Sequence, residues 1–486
     1  MAGAALTPKT PKTSLGTGPL GAGTAARATR PARPARAGDR WATAGALAVA
    51  AVTLGAALEV DNGHLAPDAL PWLTAALVAT LAALLLPRLA PIERHGEALV
   101  RGLLGAGIAA QFGLLFSHLP TDAVPPGGTA IFAPWNAGLA VALILAGAAL
   151  VAPRPWSDWA LPALLAVYAW LGWWILTRLP PPGIDVSVFQ RDAVAALLHG
   201  HNPYSLTFPN MYGPTSAYYA PQVEVGDRLA FGFPYPPLSL FLILPGVLLG
   251  DYRYAQLAAL VLAGALLARA APGRVGAGAA ALLLFTPRGF FVLQQGWTEP
   301  FAVCLLAATV YCARRAPRWL PLALGLLLAV KQYLVFAAPL AVLLVPRPWS
   351  WRDLWRLYWR SAVVALAVSL PLVLWDLPAF VRSAVTLQFY QPFRLDALSY
   401  VAWFARDGGP RLTWLALPAL VPATALALWR AARTPAGFAA AVSCVFIIFL
   451  VTNKQAFANY YFFVLGALCC AIAAVERGAW SVERGA

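Results

Sequence analysis

Long apolar runs without a single charge recur along this chain and constrain its fold more than any other feature. Examples are Ala42–Leu58, Leu412–Trp429 and Phe438–Val451. Charged residues make up only 11% of the chain and hydrophobic residues 60%, whereas a soluble domain needs about 25% charged residues. A membrane-spanning helix needs about 20 mostly apolar residues. The sequence therefore predicts an all-α polytopic membrane protein rather than a soluble domain.

The net charge of +15 does not indicate a nucleic-acid partner. The Arg and Lys residues stand in short clusters between apolar runs, which is where the orientation signals of membrane proteins lie. The five cysteines lie inside apolar runs and have no metal-ligand spacing, so we interpret them as packing residues: Cys304, Cys312, Cys444, Cys469 and Cys470. The composition thus favours membrane lipids, and not nucleic acid, as the surroundings of this chain.

Residues 1–40 are rich in Ala, Gly, Pro, Thr and Arg and offer almost nothing to bury, which is typical of a disordered tail. Their arginines stand directly before the first apolar run, which places this tail in the cytoplasm by the positive-inside rule. Residues 477–486 are predicted to be a second cytoplasmic tail. We therefore expect a multi-pass protein of the cell inner (plasma) membrane with both termini inside.

Basic and acidic connections alternate along the chain and predict about fourteen transmembrane helices. The predicted crossings are 41–58, 70–88, 98–118, 130–152, 159–178, 253–270, 276–291, 298–313, 318–331, 333–346, 358–375, 412–430, 436–451 and 459–475. We divide them into an N-terminal module of about four helices (41–158) and a core (159–476). Long outer loops fall at 179–252 and 376–410, and both are predicted to carry juxtamembrane helices.

A carboxylate, Asp185, emerges just beyond the outer end of the fifth predicted crossing. An amphipathic helix follows and ends at the run Gly200–Tyr204. An aspartate in this position can serve as a helix N-cap, and the stretch alone favours that role. Asp192 lies about two helical turns further on, and its simplest interpretation is a solvated or ion-paired residue.

Several cations and polar residues are predicted to face the same outer side. Lys331 splits an apolar run, at a cost of about 2.5–3.5 kcal/mol unless it reaches an anion or water. Snorkelling at a helix end is its alternative role, and Arg394 and Lys454 have the alternative role of interfacial anchors. Gln295 and Glu299 stand at the start of a predicted crossing. A carboxylate beside several cations is what a lipid-phosphate sugar requires: a base for the attacking hydroxyl and positive charge for the leaving phosphate.

The residues also carry a resemblance to a known superfamily. Asp185 with Val188-Phe189 and the following Gly200–Tyr204 resembles the first outer loop of the GT-C membrane glycosyltransferases. Tyr235–Leu238, Gln295-Gly296 and Lys331 are similar to the pattern of its polyprenyl-phosphate-mannose-dependent mannosyltransferases, glycosyltransferase family eighty-seven, and the likeness covers roughly residues 160–475. The resemblance implies a GT-C-like helical bundle with outer juxtamembrane helices and a catalytic carboxylate in the first outer loop. That carboxylate falls on Asp185.

The resulting hypothesis is an inverting transfer of a hexose, with mannose favoured, from a polyprenyl-phosphate sugar to a lipid or glycan acceptor on the outer face. Asp185 would be the general base, while Lys331, Arg394 and Lys454 would bind the donor phosphate. The residues assigned to substrate binding are Asp192, Tyr204, Tyr235, Gln295, Glu299, Tyr333 and Tyr460. No metal and no cofactor are expected. The alternatives are a transporter or flippase of a lipid-linked sugar, and a membrane scaffold without catalysis.

Overall fold

The computed structural model describes residues 37–86, 95–121, 128–214, 216–270, 273–345, 348 and 350–475. Most of the predicted tails, 1–36 and 476–486, lie outside these residues, and so do parts of the predicted connections at 87–94 and 122–127.

The apolar runs form α-helices, and the described residues are mostly helical, with only three short strands. The helices are α1 Ala37–Val60, α2 Ala69–Leu85, α3 Gly96–Ser117, α4 Ala133–Val151, α5 Trp156–Arg178, α6 Asp185–Leu198, α7 Pro237–Leu248, α8 Arg253–Ala270, α9 Arg274–Leu284, α10 Gly289–Gln295, α11 Glu299–Arg315, α12 Leu320–Val330, α13 Trp351–Val373, α14 Leu377–Phe380, α15 Leu387–Tyr390, α16 Tyr400–Arg406, α17 Ala416–Arg430, α18 Pro435–Val451 and α19 Ala458–Ala473. Shorter 3₁₀ segments lie at Gly128–Phe132, Pro203–Ser205, Pro221–Val223 and Pro317–Trp319, and a π-helical turn lies at Val381–Thr386.

Polar side chains fix where several of these helices begin. Ser350 and Asp353 form a reciprocal capping box at the start of α13, in which each side chain accepts the other's backbone amide. Thr434 accepts the amide of Gly437 at the start of α18, and Asp376 accepts the amide of Ala379 at the start of α14. These caps satisfy amides that have no partner inside the helix.

The predicted count of fourteen crossings is not confirmed. A helix lies at each predicted position, but only six are long and apolar enough to cross a membrane by themselves: α1, α3, α4 with its preceding turn, α5, α8 and α13. A bent pair, α9 and α10, would make a seventh. Seven further apolar helices are shorter, at 10–17 residues each. The described chain is thus an all-α protein whose long apolar helices indicate a membrane-embedded fold, while the predicted number of spans stays a prediction.

Two helical runs are broken in the structure. The axis bends by 50° between α9 and α10, at the segment Phe285–Arg288. The second break is at Lys331, whose backbone is extended (φ −152°, ψ 144°) between α12 and a 3₁₀ helix, Gln332–Leu344. Each break exposes backbone groups that a continuous helix would satisfy internally.

Helix packing produces one large apolar core. α1 packs against α2, α3 and α19, while α19 also packs against α9, α11 and α18. The apolar residues of these helices form a single buried cluster that continues through the rest of the bundle. By contrast, one face of α13 has exposed tryptophans, Trp351, Trp355 and Trp359. Such a large exposed apolar face is typical of a helix in contact with lipid.

The predicted outer loop 179–252 is folded rather than irregular. It contains α6, α7 and a small antiparallel sheet of three two-residue strands, β1 Phe208–Pro209, β2 Glu224–Val225 and β3 Arg228–Leu229, in the order β1-β3-β2. Phe189 of α6 packs on Phe208 and Phe231, within a second, smaller apolar cluster. This cluster fixes α6, and therefore Asp185, against the loop. At 12 residues, α7 is about 18 Å long and too short to span.

Candidate functional site

Asp185 is the first residue of α6 and lies a few residues beyond the end of α5. Its carboxylate Oδ1 accepts the amide of Val186 at 2.7 Å, and Oδ2 accepts the hydroxyl of Tyr219. Its backbone amide donates to the hydroxyl of Tyr212 at 3.2 Å. The N-cap position belongs to Ile184, so Asp185 is held by the first turn and by two tyrosines rather than acting as the cap.

The environment of Asp185 makes its carboxyl a stronger base than an exposed aspartate. Burial raises its pKa, and this effect exceeds the opposing effects of its hydrogen bonds with Tyr219, Val186 and Tyr212 and of the Arg394 charge. A raised pKa is suited to a group that takes up a proton during a reaction.

The sequence interpretation missed the tyrosines that surround Asp185. Tyr212 and Tyr218 stack with ring centroids 4.2 Å apart, and Tyr219 follows in the same loop. The signal was present as three tyrosines within eight residues of an outer loop. Burial, followed by the negative charge of Asp185, raises the pKa of Tyr219 far above its usual value, so this hydroxyl stays protonated and remains a donor.

Arg394 lies within electrostatic range of Asp185 and is fixed from several sides. Its guanidinium forms a bidentate pair with Asp396, Nε to Oδ1 at 2.8 Å and Nη2 to Oδ2 at 2.5 Å. Its Cζ lies 4.3 Å from the ring centroid of Tyr218 and 4.9 Å from that of Phe457. The connection between α1 and α2 supports this arrangement, because the Leu65 amide donates to the carbonyl of Asp396 at 2.9 Å.

Lys454 is a buried cation beside Arg394. The Arg394 amide donates to the Lys454 carbonyl at 3.2 Å, and the Lys454 ammonium donates to the carbonyl of Gln391 and lies 5.2 Å from the ring centroid of Trp414. Among the residues that the structure describes, no carboxylate forms an ion pair with it. Burial lowers the pKa of this ammonium group. An ammonium in this situation gains most from an anionic ligand.

Lys331 and Glu299 form a buried ion pair, which the sequence interpretation did not foresee. The Lys331 ammonium donates to Glu299 Oε1, and the two side chains are only 5% and 0% exposed. The same oxygen accepts the hydroxyl of Tyr333 at 3.3 Å and the amide of Asn459 at 3.0 Å. Glu299 Oε2 is buried and has no hydrogen-bond partner in the described chain.

Three tyrosine rings surround the ammonium of Lys331. The ring centroids of Tyr235, Tyr333 and Tyr460 lie 5.3, 5.6 and 5.3 Å from Nζ, which is within the range of a cation–π interaction. The break at Lys331 therefore places its charge in a cage formed by a carboxylate and three aromatic rings.

Tyr235 belongs to the cage and also lies in the electrostatic field of the Asp185 carboxylate. Burial raises the pKa of Tyr235, and the negative charges of Asp185 and Glu299 raise it further, so its hydroxyl lies in the field of both carboxylates. Tyr204 is fully buried and donates its hydroxyl to the Tyr235 carbonyl at 2.7 Å. Tyr204 therefore supports the backbone of Tyr235, and its hydroxyl is already engaged as a donor in that hydrogen bond.

Gln295 and Gly296 lie at a turn on which several buried side chains converge. Gln295 Nε2 donates to the side chain of Gln294 at 3.0 Å. The Gly296 carbonyl accepts the amides of Gln190 at 2.6 Å and of Gln256 at 2.9 Å. The first of these bonds ties α6 to the end of α10, so this turn helps to fix the helix that carries Asp185.

Asp192 differs from the other predicted site residues. It is exposed on α6 and forms no ion pair with the described residues.

Another buried ion pair lies elsewhere, between Arg288 Nη2 and Glu59 Oε1 at 2.8 Å. The interior of the bundle thus contains more charge than the sequence indicated.

The structure brings two groups of predicted residues together, one around Asp185 and one around Glu299. The first combines a carboxylate of raised pKa with Arg394 and Lys454, and the second is the caged pair. No group of three or more His, Cys, Asp or Glu residues in the described chain could hold a metal ion. No protein-family model, no curated protein and no solved structure matches this chain.

Proposed function

We propose that this chain is a membrane glycosyltransferase that moves a hexose, with mannose favoured, from a polyprenyl-phosphate sugar to a lipid or glycan acceptor. The single observation that carries the proposal is the position of Asp185. It stands just past the end of a span-length helix, it is held by Tyr219 and Val186, and it lies in the field of Arg394. This combination suits base-assisted attack on a sugar phosphate.

In the proposed reaction, Asp185 takes the proton of the acceptor hydroxyl as the acceptor oxygen bonds to the anomeric carbon. The bond from that carbon to the phosphate oxygen breaks, and the phosphate leaves with the electron pair. Attack opposite the leaving group inverts the anomeric centre. Arg394 and Lys454 would neutralise the departing phosphate, because charge-assisted hydrogen bonds to phosphate are the strongest that these side chains form.

The resemblance to family eighty-seven of the GT-C glycosyltransferases supports the same assignment for Asp185. Lys331 remains a proposed ligand of the donor phosphate, but Glu299 already balances its charge. We therefore give Lys454, which forms no ion pair with a described carboxylate, the larger share of phosphate binding, and Arg394 adds the donors that Asp396 does not use. Tyr235, Tyr333 and Tyr460 are proposed to line the sugar side of the site, since aromatic rings suit the apolar faces of a hexose. The outer face of the inner membrane is the proposed location.

A transporter or flippase of a lipid-linked sugar is the second candidate, and two observations favour it. The bundle contains the broken run at Lys331 and the bend between α9 and α10, and broken helices commonly form the substrate sites of transporters. It also contains the buried pair Lys331–Glu299, and intramembrane charges often mark a transport pathway.

The test is transfer of radiolabelled mannose from polyprenyl-phosphate-mannose, in membranes carrying wild-type protein, Asp185→Asn or Asp227→Asn. Asp227 is an exposed carboxylate in the same outer loop, so its substitution controls for charge and for expression. We expect transfer by wild type and Asp227→Asn and none above background by Asp185→Asn.

Equal transfer by all three proteins would keep the enzyme but remove Asp185 as its base. Absence of transfer from the mannose, glucose and arabinose donors alike would overturn the proposed enzyme. Movement of the labelled lipid across protein-containing vesicles would then support the flippase.

A further inference from the structure

A cavity of about 590 Å³ lies among the ends of α3, α4, α5, α8 and α9. Three arginines contribute to its wall: Arg101 from α3, Arg154 from the turn before α5, and Arg274 from the start of α9. Small apolar side chains form another part of the wall, among them Ala149, Leu161 and Ala277. A phosphate group attached to an apolar chain would complement both parts of this wall.

Backbone carbonyls, rather than carboxylates, hold two of the three arginines. Arg101 Nη2 donates to the carbonyl of Leu150 at 3.0 Å, and Arg274 Nη2 donates to the carbonyl of Ala152 at 2.9 Å. Neither guanidinium forms an ion pair with a carboxylate of the described residues. The Nε of Arg101 is buried and has no hydrogen-bond partner within the described ranges.

The remaining charges of the cavity do not cancel those of the arginines. Arg154 lies 3.6 Å from Asp158, and both side chains are largely exposed, so this pair is weak and screened by solvent. Glu97 also lines the cavity. Among the described lining residues, three arginines thus stand beside two carboxylates, and the guanidinium groups of Arg101 and Arg274 keep donors that the backbone carbonyls do not use.

The cavity is remote from Asp185. Arg154 stands just before the 23 residues of α5, and Asp185 stands just after them. A helix of that length is about 35 Å long, which is enough to cross the hydrocarbon core of a bilayer. The cavity therefore lies at the opposite end of α5 and cannot be part of the site around Asp185.

We infer that this cavity binds the phosphate of an anionic phospholipid head group. Basic pockets between membrane helices bind such head groups, and guanidinium groups match the geometry of phosphate. The acyl chains would lie along the apolar wall and leave between the helices. The inference stands independently of the proposed sugar transfer.

The test uses the full chain purified in detergent and measures lipid binding by native mass spectrometry. The probes are dioleoylphosphatidylglycerol, dioleoylphosphatidylcholine and sodium phosphate. The variants are Arg101→Gln and Arg274→Gln. The matched control is Arg356→Gln, which removes an exposed arginine of α13 that does not line the cavity. Size-exclusion elution of each variant verifies that it is folded.

We expect phosphatidylglycerol to bind at least about tenfold more tightly than phosphatidylcholine, and each cavity variant to weaken it about tenfold. Arg356→Gln should bind it as wild type does. Equal affinity for the two lipids, or unchanged binding by both cavity variants, would overturn the inference. Arginine-dependent binding of free phosphate without preference for phosphatidylglycerol would also overturn it, in favour of a soluble phosphate ligand. Arg101 and Arg274 are separate tests, so the failure of one variant to fold leaves the other decisive.

Discussion

The hydroxyl of Tyr219 donates to Oδ2 of Asp185, while the amide of Val186 donates to the other carboxylate oxygen. Each oxygen therefore receives one donor from the protein and keeps a lone pair for another. The two donors also set the direction of the carboxylate, because they hold it from both sides. A base held in this way can accept the proton of a substrate hydroxyl without first reorienting.

Tyr219→Phe should shift the pH dependence of transfer. The hydrogen bond from Tyr219 lowers the pKa of Asp185, so its removal raises that pKa. A base works in its ionised form, and the acidic limb of kcat/KM against pH should therefore move to higher pH. Tyr390→Phe, which removes an exposed hydroxyl without a bond to Asp185, should leave the limb in place. A limb that moves to lower pH, or not at all, would contradict the assignment of Asp185 as base.

Lys454→Met should weaken donor binding while leaving the fold intact. A charge-assisted bond to phosphate contributes about 1.5–3 kcal/mol, so KM for the polyprenyl-phosphate sugar should rise by about tenfold or more. Thermal stability should stay equal or increase, since the described chain offers this buried ammonium no carboxylate. The measurements are KM and the unfolding temperature in detergent. An unchanged KM with reduced stability would mean that Lys454 serves the fold instead.

The buried pair Lys331–Glu299 should show strong coupling in a double-mutant cycle. Removal of one partner leaves the other charge buried and should cost about 3–5 kcal/mol of unfolding free energy. The double variant Lys331→Met with Glu299→Gln should cost less than the sum of the two single variants. Arg356→Gln, which removes an exposed pair, should cost at most about 1 kcal/mol. Additive single effects, measured by denaturation in detergent, would show that the two charges do not depend on each other.

Gly296→Ala should destabilise the protein much more than Gly200→Ala. Both glycines have a left-handed backbone, with φ of 74° and 75°, so each substitution carries a similar backbone cost of about 1–2 kcal/mol. A Cβ at Gly296 would also lie 2.1 Å from the hydroxyl of Tyr252, whereas a Cβ at Gly200 would meet no atom of the described residues within 4 Å. Unfolding temperatures of the two variants give the comparison. Equal losses would mean that Tyr252 moves aside freely.

The positions of the helices could be predicted from the sequence because each depends on a local apolar run. The lengths of the unbroken helices could not be predicted in the same way. Pro287 lies in the segment where α9 and α10 meet, and Pro339 lies inside the 3₁₀ helix 332–344. A proline can break or kink a helix, and a count of apolar residues does not register it. The sequence therefore predicted where helices lie better than how many of them span the membrane.

For the candidate site, the sequence singled out the charged residues but not their partners. Asp185, Arg394 and Lys454 were conspicuous because charge is rare here. Glu299 and Lys331 were given separate roles, although the fold joins them across 32 positions of the chain. Tyr219 was overlooked because an outer-loop tyrosine is unremarkable until a carboxylate is found beside it.

The length of α5 bears on which bilayer leaflet would supply the lipid at each end of the helix. Its two ends lie about 35 Å apart, so in a bilayer they meet opposite leaflets. If the cavity binds a phospholipid and Asp185 serves the proposed sugar transfer, the phospholipid would enter from one monolayer and the lipid-linked sugar from the other. A change in the phospholipid head groups of one leaflet would therefore affect lipid binding at the cavity. It would not compete with the lipid-linked sugar for the site around Asp185.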